Sequence, residues 1–198
     1  KKQREESKTD WEFVYEIINE MKAALADNFP YKIVEVDKAE GDDVIAVLAE
    51  YFSENELVQK GLFEAPQDVV ITSSDTDMCQ LQKYGNVSQW SPILKKMISK
   101  DSDTYLIEHI CTGDSGDGVP NIMSADNCIV DGIRQTPFKK ARLEEFYEKG
   151  IDACKTETER RNYQRNEQLV DFKFIPADIK QQILDKYKMS PKGSKAKI

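Results

Sequence analysis

Several features that mark common protein classes are missing from the sequence, and each absence narrows the possible functions. No apolar run approaches the roughly 20 residues that a membrane-spanning helix needs, and no signal-peptide pattern opens the chain. The four cysteines are widely spaced and form no C-x-x-C pair, which argues against a zinc site and a disulfide framework. Free thiols are typical of a reducing cytoplasm, which is the expected location.

Common catalytic patterns are also absent. The sequence has no G-x-S-x-G of serine hydrolases, no Walker P-loop and no G-x-G-x-x-G of dinucleotide-binding folds. His109 is the only histidine, and it lies in a predicted helix, so we interpret it as a surface or core residue rather than a base. These absences leave the acidic side chains as the main candidates for chemistry.

Charge is what the sequence has in abundance. Charged residues make up 32% of the 198 positions, and the formal net charge is −8. The hydrophobic fraction of 39% is still sufficient for a core. Seven acidic residues in three short segments account for most of the excess negative charge, and the net charge without them would be −1. The acidity is therefore concentrated in a candidate site and does not argue against a nucleic-acid partner.

Hydrophobic spacing predicts strands that alternate with helices in the first part of the chain. The predicted helices cover about 10–26, a segment after Asp37, a short segment after Asp77, and 103–112; the predicted strands are 31–37, 68–73 and a hairpin around Pro92. The segment with Gly61 and Pro66 is predicted to be a polar loop. This order indicates an α/β fold with a parallel sheet over about 27–112, followed by a helical part from Ile122 with breaks at Pro137 and near 172–178.

The acidic residues fall at three loop-to-helix junctions, where the ends of parallel strands would bring them together. Hard oxygen ligands of this kind suit Mg²⁺ or Mn²⁺, and seven are enough for two ions and the residues around them. The seven candidate metal and catalytic residues are Glu40, Asp42, Asp43, Asp75, Asp77, Asp114 and Asp117.

Each acidic segment also has a purely structural interpretation. Glu40 lies three residues after Asp37, as in a capping box, and Asp75 or Asp77 is suited to cap the helix that follows. Asp114 and Asp117 stand beside glycines, as turn residues often do. The presence of three such segments favours a metal site, because the purely structural interpretation would have to hold for all three segments at once.

The segments AEGDDVIAVLA, ITSSDTDMCQL and GDSGDGVPNI resemble, in order and approximate spacing, the acidic signatures of the 5′-nuclease (flap endonuclease) superfamily. The segments NVSQWSPILKK and LVDFKFIPADI resemble in particular the RNase H group of T-even-type bacteriophages, and the resemblance covers about residues 1–190. It implies a PIN-like α/β core over residues 1–118 and a helical DNA-binding region over 119–198 that contains a helix–three-turn–helix-like element. A phage-encoded chain of this group would act in the host cell cytoplasm.

The same resemblance implies two Mg²⁺ ions, for which Mn²⁺ can substitute, and assigns the acidic residues to them. Glu40, Asp42 and Asp43 would serve one ion. Asp75, Asp77 and Asp117 would serve the other, with Asp114 a ligand through water. The resemblance does not say which carboxylate bridges the two ions.

The sequence departs from the family pattern in two places. The family begins with a strand that ends in aspartate and has a second aspartate before a basic helical arch, whereas the opening KKQREES resembles only the downstream end of that arch. We therefore expect residues 1–198 alone, without two family metal ligands, to have little nuclease activity in Mg²⁺. The segment NIMSADNCIVDG also lacks the paired glycines with which the family's DNA-binding hairpin approaches a phosphate and holds a potassium ion.

The resemblance implies a Mg²⁺-dependent 5′-to-3′ exonuclease and flap endonuclease with RNase H activity, which removes RNA primers and 5′ flaps during DNA replication. The implied partners are DNA and RNA–DNA hybrids with 5′ ends or flaps, and replication proteins such as a single-stranded DNA-binding protein, with no membrane. Two alternatives stay open: a non-catalytic nucleic-acid-binding remnant of such a nuclease, and a PIN-type endoribonuclease. The long helical part after Val119 argues against the second alternative.

A separate set of basic residues is suited to contact the phosphates of a nucleic acid. An equally plain interpretation is a set of solvated helix and tail residues that contact nothing. The candidates are Lys1, Lys2, Arg4, Lys139, Lys140 and Arg142.

Overall fold

The computed structural model describes residues 9–60 and 63–189 of the chain. They form two compact units. One contains the described residues of Lys1–Ala39 and Asp178–Ile198, and the other contains those of Glu40–Ala177. All seven candidate acidic residues belong to the second unit.

Two lysines make polar contacts between segments of the smaller unit. Helix α1 (Trp11–Asn28) begins after Asp10, whose carboxylate accepts a hydrogen bond from the Phe13 backbone N–H at 3.1 Å. Lys22 on this helix forms an ion pair of 2.7 Å with Glu35 in the irregular segment that follows. Lys32 donates to the Tyr187 carbonyl at 2.6 Å and lies 4.1 Å from the centre of the Tyr187 ring. These contacts connect α1, the 29–39 segment and the last helix of the chain.

The larger unit starts with a helix and two small sheets. Helix α2 (Gly41–Glu54) leads into an antiparallel hairpin of β1 (Leu57–Lys60) and β2 (Phe63–Pro66). The second sheet contains β3 (Val69–Thr72), β4 (Val87–Ser91) and β5 (Lys96–Ile98), with β3 parallel to β4 and β4 antiparallel to β5. Two parallel neighbours need a crossover, and a 3₁₀ helix over Thr76–Lys83 supplies it.

A small apolar core lies between α2, the sheet and this 3₁₀ helix. It contains Ala46 and Ala49 from α2, Ile71 and Val87 from the sheet, and Met78 and Leu81 from the 3₁₀ helix. Alanines on the inner face of α2 allow the helix to approach the sheet closely. This packing places the N-terminus of α2 and the carboxyl end of β3 in one unit with their acidic residues.

The rest of the larger unit is helical, with a long irregular segment in its middle. Its helices are α3 (Ser102–Thr112), α4 (Lys140–Lys149) and α5 (Glu157–Val170). Helix α6 (Ala177–Met189), which ends the described residues, belongs almost entirely to the smaller unit. Short 3₁₀ turns over Gly150–Ala153 and Phe172–Phe174 stand between them. Phe146 and Tyr163 stack at 5.7 Å in the second core, together with Ile110, Cys111, Ile122 and Leu143.

Residues 113–139 contain no helix, although the segment from Ile122 was predicted to be helical. Two buried asparagines of α5 hold this segment instead. Asn162 donates to the carbonyls of Ile122 and Ser124, and Asn166 donates to those of Ile110 and Pro120. A backbone whose carbonyls are bound from outside in this way does not need helical hydrogen bonds. The prediction was wrong because these partners lie about 40 residues away in the sequence.

Three other local predictions need correction. The 31–37 segment has no strand partner among the described residues, and the predicted polar loop around Gly61 and Pro66 includes the β1–β2 hairpin. The sheet is mixed rather than parallel, because β5 runs antiparallel to β4. The remaining predicted elements are present within a few residues: α1, α2, β3, the hairpin around Pro92 and α3.

The prediction of an α/β class is confirmed, since the structure combines small sheets with several helices. Among the described residues, no helix has both the length and the apolar character that crossing a membrane would require.

Candidate metal centre

The first acidic segment lies at the N-terminus of α2. Glu40 is the residue before the helix, and its backbone N–H donates to the Asp43 carboxylate at 2.9 Å. The capping arrangement therefore starts at Glu40 and not at Asp37, one turn later than the sequence suggested. Asp42 is half-buried and has no such capping bond to the helix in the structure. Negative charge at a helix N-terminus is favourable, which makes this end a suitable place for several carboxylates.

The second acidic segment follows β3. Asp75 caps the 3₁₀ helix, with its Oδ1 accepting from the Asp77 backbone N–H at 3.0 Å. The Asp75 backbone is held as well, since its carbonyl accepts from Gln89 Nε2 at 2.6 Å and its N–H donates to Ser73 Oγ at 3.0 Å. The capping role proposed for Asp75 is thus present. It occupies one oxygen and leaves the other lone pairs of the carboxylate free to bind a cation.

The third acidic segment is a tight loop after α3. Gly113 ends the helix with φ +67° and ψ −172°, and the Asp114 carbonyl accepts from the Val119 N–H at 2.7 Å. Asp114 Oδ1 accepts from the backbone N–H groups of Gly116 at 2.7 Å and Asp117 at 3.3 Å. The turn role predicted for Asp114 is therefore present. Asp117 is exposed on the same loop.

The three segments meet around Asp42 and Asp77. Burial, and then the negative charges of Asp75, Asp77, Glu40 and Asp43, together raise the pKa of Asp42 to about 6. Oxygen atoms of Asp77 and Asp114 and a ring nitrogen of His109 all lie within 4.8 Å of one another. Six of the seven predicted acidic residues therefore interact with this centre, either directly or through a neighbouring carboxylate. The seventh, Asp117, is connected to it by the hydrogen bond from its backbone N–H to Asp114.

Asp42 gives a stability prediction for the metal-free protein. Because its folded pKa is raised above 3.8, the folded state binds a proton near pH 5 that the unfolded state has lost. The stabilisation is complete below pH 3.8 and disappears as the pH rises through 6. Asp42→Asn should therefore be more stable than wild type at pH 7.5 by about 1 kcal/mol, after discounting for solvent screening of a half-buried group.

Urea unfolding in EDTA at pH 4 and pH 7.5 measures this difference. The gain of Asp42→Asn should be present at pH 7.5 and nearly absent at pH 4. Asp103→Asn, which changes an exposed carboxylate in the first turn of α3, is the matched control and should show no such gain. Equal stability of Asp42→Asn and wild type at pH 7.5 would show that the carboxylates are not crowded.

Two residues of this centre were not predicted as functional from the sequence. Tyr105 donates its hydroxyl to Asp77 Oδ1 at 2.6 Å, and burial together with this hydrogen bond raises the Tyr105 pKa, so the hydroxyl stays a donor. His109 stands one turn later on α3 and stacks on the Tyr105 ring at 5.7 Å. The spacing of four residues between them, just before an acidic loop, is the signal that was available in the sequence.

The predicted phosphate-binding residues are distributed differently. Lys1, Lys2 and Arg4 lie outside the described residues. Lys139 and Lys140 are exposed at the N-terminus of α4. Arg142 is buried: its guanidinium binds Glu145, Glu159 at 2.8 Å and the Ala153 carbonyl at 2.6 Å, and lies 4.8 Å from the centre of the Phe146 ring.

Arg142 is therefore a structural residue, and its inclusion among the phosphate contacts was wrong. It shares a helix face with Leu143 and Phe146, both core residues. A buried guanidinium with three partners cannot turn outward without breaking its ion pairs with Glu145 and Glu159.

The donor set of this centre suits a divalent cation. Carboxylate oxygens are the preferred ligands of Mg²⁺ and Mn²⁺, and a cation would relieve the repulsion that raises the Asp42 pKa. The residues best placed to hold a cation are Asp42, Asp75, Asp77 and Asp114. Tyr105 and the capping and turn hydrogen bonds fix the orientation of the last three.

Comparisons with known proteins show the family to which the chain belongs. Residues 100–198 match the family described as T4 RNase H, C terminal. The chain is 36% identical over 208 residues to the ribonuclease H of Enterobacteria phage T4, an alignment that covers 97% of this chain and 63% of that protein. The chain therefore spans less than two thirds of the length of this relative.

Among solved structures, a mutant of the T5 5′-exonuclease is similar with a TM-score of 0.48 and 15% identity, covering 77% of this chain and 67% of that one. The family assignment comes from the two sequence matches. The family model by itself covers half of the chain. The chain belongs to the family of T4 RNase H, and its residues 100–198 match the model of that family's C-terminal part.

Proposed function

We propose that this chain carries the metal site of a Mg²⁺- or Mn²⁺-dependent 5′-to-3′ nuclease with RNase H and flap endonuclease activity. In this role it removes RNA primers and 5′ flaps during DNA replication. The observation that carries the proposal is the meeting of three acidic segments, from α2, the end of β3 and the loop after α3, around a carboxyl group whose pKa is already raised to about 6. The membership in the T4 RNase H family supports it.

The protein side chains would divide the work in the following way. Asp42, Asp75, Asp77 and Asp114 would hold the cations, with Glu40, Asp43 and Asp117 around them. Tyr105 keeps Asp77 in one orientation through its 2.6 Å hydrogen bond. The Gly116 and Asp117 N–H groups do the same for Asp114. When bound, the cations supply a water made acidic enough to attack phosphorus and neutralise charge on the phosphate.

Sites held in this way have little freedom to rearrange. Each of Asp75, Asp77 and Asp114 has a side-chain oxygen fixed by a backbone N–H or a hydroxyl donor, so the oxygens do not have to be ordered again when a cation arrives. Ordering in advance lowers the entropy cost of binding. The site is thus suited to hold ions in one geometry for an in-line displacement at phosphorus.

Cleavage of a defined substrate tests the proposal. The full-length protein should release short products from the 5′ end of a 5′-labelled RNA–DNA hybrid in Mg²⁺, and EDTA should stop the release. A covalently closed circular hybrid, which has no 5′ end, should resist. Equal cutting of the circle would favour an endoribonuclease, and binding of the hybrid without cleavage by the full-length protein would favour a non-catalytic nucleic-acid-binding role.

Lys139 and Lys140 are proposed to contact the nucleic-acid backbone. Cations are unfavourable at a helix N-terminus, yet both lysines stand at the start of α4, which has no acidic residue in its first turn and no capping side chain. A backbone phosphate would be attracted both by the lysines and by the free N–H groups of this helix end.

Replacing both lysines by glutamate should therefore have opposite effects on stability and on binding. The free energy of unfolding should rise by about 1 kcal/mol, because the new charges suit the helix end. Affinity for an RNA–DNA hybrid should fall, and the slope of log affinity against log salt should become shallower by about 2, or roughly 1 per lost phosphate contact. Fluorescence anisotropy at several salt concentrations measures both quantities.

Lys149→Glu provides the matched control, since Lys149 is exposed at the opposite end of the same helix. That variant should lose a little stability and keep the salt dependence of wild type. An unchanged affinity and slope in the Lys139→Glu, Lys140→Glu protein would remove these lysines from the proposed interface.

A further inference from the structure

The single histidine of the chain lies at the acidic centre. The His109 side chain is 11% exposed, and its Nε2 is 3.4 Å from Asp77 Oδ1. One face of the ring is covered by Tyr105, with the two ring planes only 16° apart. The imidazole is therefore held in one place, with a nitrogen directed at the carboxylate that links two of the acidic segments.

The contact between His109 and Asp77 is a poor hydrogen bond. A distance of 3.4 Å is long for an N–H to oxygen bond, which is usually about 2.7–3.2 Å. Asp77 Oδ1 already accepts the Tyr105 hydroxyl at 2.6 Å. If the role of His109 were only to donate a hydrogen bond to Asp77, the two side chains would be expected to lie closer together.

The spacing suits shared coordination better. One ring nitrogen of His109 and one oxygen each from Asp77 and Asp114 all lie within 4.8 Å of one another. Atoms bound to one ion at roughly 2.1 Å are separated by at most about 4.2 Å, so only small side-chain movements are needed to bring these three onto one ion. The three residues come from the 3₁₀ helix, α3 and the loop after α3.

We propose that His109 is a metal ligand, together with Asp77 and Asp114, and that this site prefers Mn²⁺ over Mg²⁺. The inference rests on the proposed metal site and adds a nitrogen ligand to it. Imidazole nitrogen is a good ligand for first-row transition ions, whereas Mg²⁺ selects oxygen. A nitrogen among the ligands should therefore raise Mn²⁺ affinity without a matching gain for Mg²⁺.

The presence of only one histidine makes a direct test possible. In the tag-free full chain loaded with Mn²⁺, pulsed EPR should detect the ¹⁴N coupling of a coordinated imidazole, and that signal can come only from His109. His109→Phe retains a ring against Tyr105 but offers no ligand atom. It should lose the ¹⁴N signal and at least tenfold in Mn²⁺ affinity by calorimetry, while Mg²⁺ affinity changes less than about threefold.

Two further variants make the result independent of folding defects. His109→Asn introduces a smaller polar side chain, and an unfolding temperature equal to that of wild type in EDTA would show that its fold is intact. It should then lose the ¹⁴N signal as His109→Phe does. Tyr105→Phe removes the hydroxyl that binds Asp77 while leaving the imidazole, so it should keep the ¹⁴N signal. Loss of the signal in both His109 variants, with its retention in Tyr105→Phe, supports ligation by His109.

The outcomes that overturn the two proposals differ. If wild type binds Mn²⁺ but shows no ¹⁴N coupling, or if His109→Phe keeps wild-type Mn²⁺ affinity, His109 is not a ligand and the carboxylate site still stands. If wild type binds neither Mn²⁺ nor Mg²⁺ at millimolar concentration, the metal site itself is wrong, and the proposed function fails with it.

Discussion

Asp75→Asn should abolish metal-dependent cleavage and leave the fold intact. The carboxylate is proposed to hold a cation, and an amide is a much weaker ligand of the same shape. Loss of several kcal/mol of transition-state stabilisation corresponds to a fall in rate on the order of 10³-fold. Nucleic-acid binding should persist or become tighter, because a negative charge near the phosphates has been removed and the proposed phosphate contacts come from lysines elsewhere.

The local structure makes this substitution informative. Asp75 caps the 3₁₀ helix through its Oδ1, and asparagine is an equally good cap. Stability should therefore change little, or rise slightly, since the charge of Asp75 is one of those that raise the Asp42 pKa. If Asp75 were only a cap, Asp75→Asn would keep wild-type cleavage and metal affinity.

Asp101→Asn is the matched control for this experiment. Asp101 caps α3 by accepting from the Thr104 N–H at 2.8 Å, and it lies outside the acidic centre. Calorimetric titration of Mn²⁺ into the chain and cleavage of a 5′-labelled hybrid by the full-length protein are compared for both variants. We expect Asp101→Asn to match wild type in both assays and Asp75→Asn to fail in both, while both melt near the wild-type temperature.

Gly113→Ala should lower both stability and metal affinity, although Gly113 has no side chain that could bind a cation. Gly113 has φ +67° and ψ −172°, a combination that is essentially restricted to glycine. An added Cβ would lie 2.3 Å from the Val119 carbonyl oxygen and 2.6 Å from that of Pro120, both of them backbone atoms. The loop that carries Asp114 would have to move, so we expect a loss of about 3–5 kcal/mol in stability and at least tenfold in metal affinity.

Gly118→Ala separates backbone strain from the steric clash. Gly118 is in the same loop and also has a positive φ of +78°, but an added Cβ would meet nothing within 4 Å. It should cost only about 1–2 kcal/mol and leave Asp114 in place. Urea unfolding and Mn²⁺ titration of the two variants measure the difference. Equal losses in both would mean that the contact of Gly113 with the 119–120 backbone does not position Asp114.

The acidic centre could be predicted from the sequence in its main outline. Asp75 and Asp77 follow an apolar strand, and Asp42 and Asp43 open an amphipathic helix, so both pairs were expected at loop-to-helix junctions. Strand and helix periodicity are local properties, and the structure has β3 and α2 where the pattern predicted them. The capping and turn interpretations also proved correct for Asp75 and Asp114.

The sequence was misleading wherever distant partners decide the structure. Apolar residues after Ile122 suggested a helix, but Asn162 and Asn166 bind the carbonyls of the 110–124 backbone and hold it in turns. Arg142 was predicted to be a surface cation, but its guanidinium is bound by Glu159, which is 17 residues away, and by the Ala153 carbonyl. Neither outcome can be read from local spacing, because the partners of a side chain are set by packing.

Local patterns in the sequence were enough to predict seven carboxylates at three junctions, the helix and strand that precede or follow them, and the likeness to the T4 RNase H group. Which side chains share the centre depends on how these elements pack. This packing crowded Asp42 with four other carboxylates and brought His109 to within 3.4 Å of Asp77. The reason is physical: burial and electrostatic repulsion depend on distances in space, and residues 42, 77, 109 and 114 become neighbours only when α2, the 3₁₀ helix and α3 pack together.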